Sequence, residues 1–194
     1  QTILTRHDRQ DCKKGVYGVI RRRLDRIVRK EILYYCKKHN VSENALFLSA
    51  FNYTAALFAD EDGSFVNSIH SGRTDGRWAR LAGCLFKTYL CRYDRIPHQK
   101  VEELITLTGS QIMNTMKNYS PVSRMGDLFL QYQGDILSVP TPGDKPGERM
   151  HWVQLDSLPF HMQIMYDEEG FYTELRYWEN RFDRRLLEIF LTCY

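Results

Sequence analysis

No run of eighteen uncharged apolar residues occurs in these 194 residues, so no segment reads as a transmembrane helix. No basic-then-apolar stretch stands at the N-terminus, so no secretory leader is read there. Cysteine is sparse and odd in number: Cys12, Cys36, Cys84, Cys91 and Cys193 contain no Cys-x-x-Cys pair, and most lie in apolar patterns. That usage argues against a disulfide framework and for reduced thiols in a cytoplasm. The six histidines are scattered, with neither His-Glu-x-x-His nor close Cys/His pairs, so no metal site is expected. No internal repeat is visible. Charge of either sign is nearly balanced, 27 basic against 24 acidic residues, and no nucleic-acid recognition motif accompanies the basic ones. Neither nucleic acid nor a membrane is therefore expected as a partner.

What is present suits one well-packed core. Apolar residues make up 43% of the chain and aromatics 13%, enough for a single domain over 1–194 and too few residues for two. Gln1 at one end and an apolar helical run reaching Tyr194 at the other suggest a piece of a longer chain.

The hydrophobic spacing divides the chain into alternating elements. Val16 to Leu24 reads as a strand, and Asp25 as the N-cap of a helix that closes near Asn40. On that helix Leu24, Val28, Ile32 and Tyr35 share one face, and Arg26, Arg29, Lys30 and Lys37 the opposite one. Ser42 caps a second helix through about Phe58 that is apolar all round, and so should be covered on most sides. Strands follow at Phe65 to His70 and Gly83 to Arg92, then a helix over about 100–117 with Gly109 as its weak point. Another strand is expected at Leu128 to Gln133, and a loop at 139–149. Alternation in Phe160 to Met165 and Glu174 to Trp178, joined by Asp167-Glu168-Glu169-Gly170, predicts an antiparallel hairpin. A last helix runs from Asp183. The pattern predicts an α/β two-layer sandwich: a mixed sheet with helices mainly on one face.

Three fragments carry the functional signal: Ser71-Gly72-Arg73, the strand Ala82-Gly83-Cys84-Leu85-Phe86-Lys87-Thr88-Tyr89-Leu90-Cys91-Arg92, and Asn118-Tyr119-Ser120-Pro121 ahead of Asp127-Leu128-Phe129-Leu130-Gln131-Tyr132-Gln133. With Leu175-Arg176-Tyr177 and Phe182-Asp183 near the end, their order and spacing resemble the second half of condensation domains of nonribosomal peptide synthetases. Gly83, Thr88 and Arg92 match that family's strand, while Lys87 stands where the family has Asn and Leu90 where it has Pro. The family's His-His-x-x-x-Asp-Gly motif belongs to its first half. His70 to Gly76 fits the spacing, but Ser71 occupies the place of the catalytic His, and a hydroxyl cannot accept a proton near neutral pH as an imidazole can.

The resemblance implies a chloramphenicol acetyltransferase-like lobe, the C-terminal one of two, with no catalytic residue of its own and the general-base His in the other lobe. It implies a substrate tunnel lined by Ser71, Gly72, Arg73, Gly83 and Thr88. It also implies, as partners, the N-terminal lobe, neighbouring synthetase domains and acidic carrier proteins bearing phosphopantetheine arms, with no cofactor bound directly. Between Arg21 and Lys38 eight basic residues face two acidic ones. Such a stretch reads either as a solvated helix face or, through Arg26, Arg29, Lys30 and Lys37, as a dock for those carriers. For Ser71-Gly72-Arg73 a plain strand-end turn, with Gly72 at positive φ and Arg73 paired to an acid, stands beside the tunnel reading. The expected activity is amide formation by the whole domain, with this half inactive alone. The alternatives are a non-catalytic carrier-docking module of the same fold, or a related acyltransferase or epimerisation domain. His161, alternating out of a strand, reads as a surface or hydrogen-bonded group.

Overall fold

The computed structural model describes residues 16–73, 76–79, 85–120, 126–134, 158–167 and 169–194. Six strands, β1 (Tyr17–Arg23), β2 (Gly63–His70), β3 (Lys87–Asp94), β4 (Leu128–Gly134), β5 (Phe160–Asp167) and β6 (Gly170–Trp178), form one sheet in the order β1-β6-β5-β4-β2-β3. The helices are α1 (Arg26–His39), α2 (Glu43–Ala59), the short α3 (Gly76–Ala79), α4 (Val101–Lys117) and α5 (Arg184–Cys193). β4 runs parallel to both β2 and β5, and every other pair is antiparallel. The return from β3 to a strand parallel to β2 is made through α4, the crossover a parallel pair requires.

Register divides the sheet into two faces. Val66 opposite Cys91, Leu130 beside Met162, and Met162 opposite Leu175, itself opposite Ile20, put one continuous apolar set on one side, and all of these residues are buried. Against that side lies α2, which touches β2, β3 and β4 as well as α1, α4 and α5. Phe51 of α2 meets Phe160, Phe190 and Tyr194 edge-on, contacts that each add about 0.5–1.5 kcal/mol beyond area burial. An apolar circumference is thus explained by cover: α2 is the central core helix.

Local signals set the helix ends. Asp25 accepts from the Ile27 and Val28 amides, Ser42 from Ala45, and Asp183 from Arg185 and Leu186, each satisfying donors the first turn leaves orphaned. Asn40 closes α1 in the left-handed conformation, φ 52°. The two-layer architecture and the β5–β6 hairpin are as the alternation predicts.

Two expectations need correction. Leu24 precedes α1 and is 36% exposed, so the docking face of that helix starts at the half-buried Val28 and continues through Ile32, Tyr35 and the buried Cys36. The strand expected from Gly83 pairs only from Lys87 onward. Gly72 turns the chain beside Leu85, whose backbone is pressed against it, and ladder pairing resumes where Lys87 can face His70. Gly83, Cys12, Cys84, His151, Trp152 and the loop at 139–149 lie outside the described residues.

Candidate functional site

At the end of β2 the chain folds back on itself through two short side-chain bonds. The Gly72 amide donates to His70 Nδ1 at 3.0 Å, and the Arg73 amide donates to Ser71 Oγ at 3.3 Å. Gly72 has φ +73°, and a β-carbon there would stand 1.9 Å from the Leu85 carbonyl oxygen. Only glycine fits such a position. The turn and the positive φ of Gly72 are as read, and they leave Ser71, Gly72 and Arg73 half-buried rather than sealed.

Across the hairpin His70 pairs with Lys87 and Ile69 with Thr88. Successive strand residues point to opposite faces, so Lys87 and His70 share the helix-covered side while Thr88 projects to the other. Thr88 is half-buried. The Lys87 ammonium sits 5.0 Å from the centroid of the Tyr119 ring, which follows the C-terminus of α4. Burial and the neighbouring Lys87 charge both lower the pKa of His70. Farther along the same face, Asn44 Nδ2 in the first turn of α2 donates to Tyr89 Oη at 3.3 Å. The three sequence fragments thus meet at one corner of the molecule, with Tyr119 as a member whose role sequence spacing does not reveal.

The sheet face opposite α2 carries a polar row of which the sequence reading named His161 alone, as a surface or hydrogen-bonded group. His161 is only 6% exposed. Its Nε2 lies 3.1 Å from Gln131 Oε1, which Gln163 Nε2 also approaches at 3.4 Å. Burial, helped by the Arg176 charge, lowers the His161 pKa to about 4, so the ring is neutral at pH 7. Next to it Glu174 receives Arg21 and Arg176, each at 2.7 Å. Burial pushes that carboxyl up, but the two guanidinium bonds prevail and hold it below the ordinary value. Alternation alone locates His161 on this face; only packing reveals its burial.

The basic stretch contracts in the structure. Arg21 binds Glu174, Arg23 binds Asp167 and Glu169, and Arg29 lies with its guanidinium 4.3 Å from the Tyr166 ring centroid, donating to the Asp167 carbonyl at 3.2 Å. Arg29 is half-buried, whereas Arg26, Lys30 and Lys37 are exposed. Neither Cys36 nor Cys91 is an activated nucleophile: burial pushes the Cys91 thiol up to about 12 and raises Cys36.

A groove of about 910 Å³ opens between α1, α2 and α4, lined by Tyr34, Tyr53, Leu46, Tyr93 and Leu104 among others. It sits by the Gly63–Asp94 end of the β2–β3 hairpin. The eight-residue strands place it about 24 Å from the His70–Lys87 end, and none of the motif residues lines it.

No family model matches the chain, and no curated protein does. Solved structures match throughout its length. The epimerization domain from the third module of tyrocidine synthetase B superposes with TM-score 0.72 at 13% identity, over 98% of this chain and 48% of its own. The nonribosomal peptide synthetase cyclization-docking bidomain from Sorangium cellulosum gives 0.76 at 11%, over 100% and 43%. The condensation domain of the Monacolin K polyketide synthase gives 0.72 at 14%, over 96% and 48%. The chain spans less than half the length of each. Its fold is that of the C-terminal lobe of condensation-type domains, a mixed six-stranded sheet backed by one layer of helices.

Proposed function

We propose that this chain is the C-terminal half of a condensation-type domain that joins a carrier-bound acyl thioester to a carrier-bound amine. The amine nitrogen attacks the thioester carbonyl, a C–N bond forms, the C–S bond breaks, and the donor thiol leaves with a proton. Holding two long arms end to end supplies much of the rate in such a reaction. In this reading Ser71, Gly72, Arg73, Gly83 and Thr88 line half of the tunnel for those arms. Proton handling falls to a histidine of the other lobe, because Ser71 cannot serve as the base and His161 is buried in its own sheet.

The observation that carries the proposal is the end-to-end fold match at under half the partner's length, together with a Ser-Gly-Arg turn at a strand end. The test is reconstitution. Mixed with two loaded carriers, this chain alone should yield no amide, and a first lobe bearing His-His-x-x-x-Asp-Gly should restore product. Turnover by the chain alone, or none by the reassembled pair, would overturn the reading.

A second reading, a carrier-docking module without chemistry or an epimerisation domain, is favoured by Lys87 at the family's Asn position. An ammonium donates hydrogen bonds but accepts none, so a polar role needing an acceptor is lost there. Chiral analysis of the carrier-bound product separates epimerisation from condensation. Carrier binding without any product supports the docking module.

A further inference from the structure

Lys87 is a half-buried residue at the loop end of the β2–β3 pair. Among the described residues no carboxylate lies within ion-pair distance of it, and its one neighbour of opposite polarity is the face of the Tyr119 ring. A ring face holds an ammonium weakly, whereas an anion would hold it through directed, charge-assisted hydrogen bonds.

The surrounding groups are donors as well. His70, paired directly across from Lys87 on the same face, already accepts the Gly72 amide at Nδ1, so its neutral ring carries the proton on Nε2. Ser71 Oγ accepts the Arg73 amide, which leaves its hydroxyl hydrogen to donate. Cross-strand partners have β-carbons about 5 Å apart, a spacing at which both side chains reach one three-atom group.

We propose that the corner between His70, Ser71 and Lys87 is an oxyanion site, taking a carboxylate or phosphate group of a small ligand. Lys87 supplies the charge, and the imidazole and hydroxyl supply directed hydrogen bonds. That the bound group belongs to the acyl-transfer substrate rests on the function proposed above. The oxyanion site itself does not.

The test follows the His70 ring in ¹H–¹⁵N spectra while inorganic phosphate, succinate or, at matched ionic strength, sodium chloride is added to the protein. The expected result is a saturable shift with phosphate or succinate and none with chloride. Lys87→Met should weaken it about tenfold or more, and Lys87→Arg should retain it. Response to phosphate alone assigns a phosphate ester, and response to succinate a carboxylate. No saturation with either anion, or equal binding by Lys87→Met, overturns the site. If Lys87→Met proves unfolded by near-ultraviolet circular dichroism, Lys87→Asn makes the same comparison. Anion binding that persists when the two-lobe assay yields no amide would remove the acyl-transfer reading and leave the site standing.

Discussion

At Gly72 a left-handed backbone coincides with a carbonyl oxygen where a β-carbon would go. Strain at positive φ and overpacking add, so Gly72→Ala should lower stability by about 2–5 kcal/mol in urea unfolding. Gly76, where an added β-carbon would meet nothing within 4 Å, serves as control: Gly76→Ala should stay within about 0.5 kcal/mol. His161 makes a prediction of the opposite kind, about pH. Its pKa in the fold is about 4, below the ordinary 6.5, so the unfolded chain binds the extra proton first. The stabilisation is complete above pH 6.5 and is lost as pH falls toward 4, about 3 kcal/mol at most. His70 shifts in the same direction, so the wild-type slope contains both. Melting temperature should therefore fall between pH 6.5 and 5, and His161→Gln, which keeps an amide beside Gln131, should flatten that fall while leaving the remainder due to His70. An unchanged slope would show that His161 is not held neutral by burial.

Among the elements, α4 is the one whose sequence looks weakest, because Gly109 interrupts its middle. The structure gives that glycine room: an added β-carbon would lie 3.7 Å from Ala45 Cβ of α2, an ordinary van der Waals contact. Gly109→Ala should then stabilise the protein by about 0.5–1 kcal/mol through helix propensity, read as a raised urea midpoint. A loss would mean that the α2–α4 contact is tighter than this geometry. α1 shows the converse, a helix whose amphipathic pattern understates its ties. Arg29, placed by the helical wheel on the solvent side, lies on Tyr166 and binds the Asp167 carbonyl. A guanidinium can pack flat on an aromatic ring while donating to a carbonyl, and a wheel that counts only apolar residues cannot register that.

For the whole molecule, the net charge of +3 conceals a local excess on α1. Arg21, Arg23 and Arg29 are engaged within the fold; of the five others, all exposed, Arg26, Lys30 and Lys37 are the three of the expected docking face. If that face meets acidic carriers, replacing the three with Gln should slow association and weaken its dependence on ionic strength, with dissociation less affected. Stopped-flow rates at low and high salt provide the check, and unchanged rates would make the stretch a solvated face only.

Period, caps and turn residues are local quantities, and they are what the residues determined by themselves: α2's burial from its apolar circumference, the Asp25, Ser42 and Asp183 caps, the β5–β6 hairpin, and Gly72 as a positive-φ turn. The order and spacing of the Ser-Gly-Arg and Asn-Tyr-Ser-Pro fragments also pointed to the lobe whose fold the structure has. Strand order, the late start of β3 at Lys87, the neutral buried His161 and the meeting of His70, Lys87 and Tyr119 were decided only by tertiary structure. Each depends on groups far apart in sequence, 49 positions for His70 and Tyr119, and no local pattern encodes the desolvation that arises when such groups are packed together.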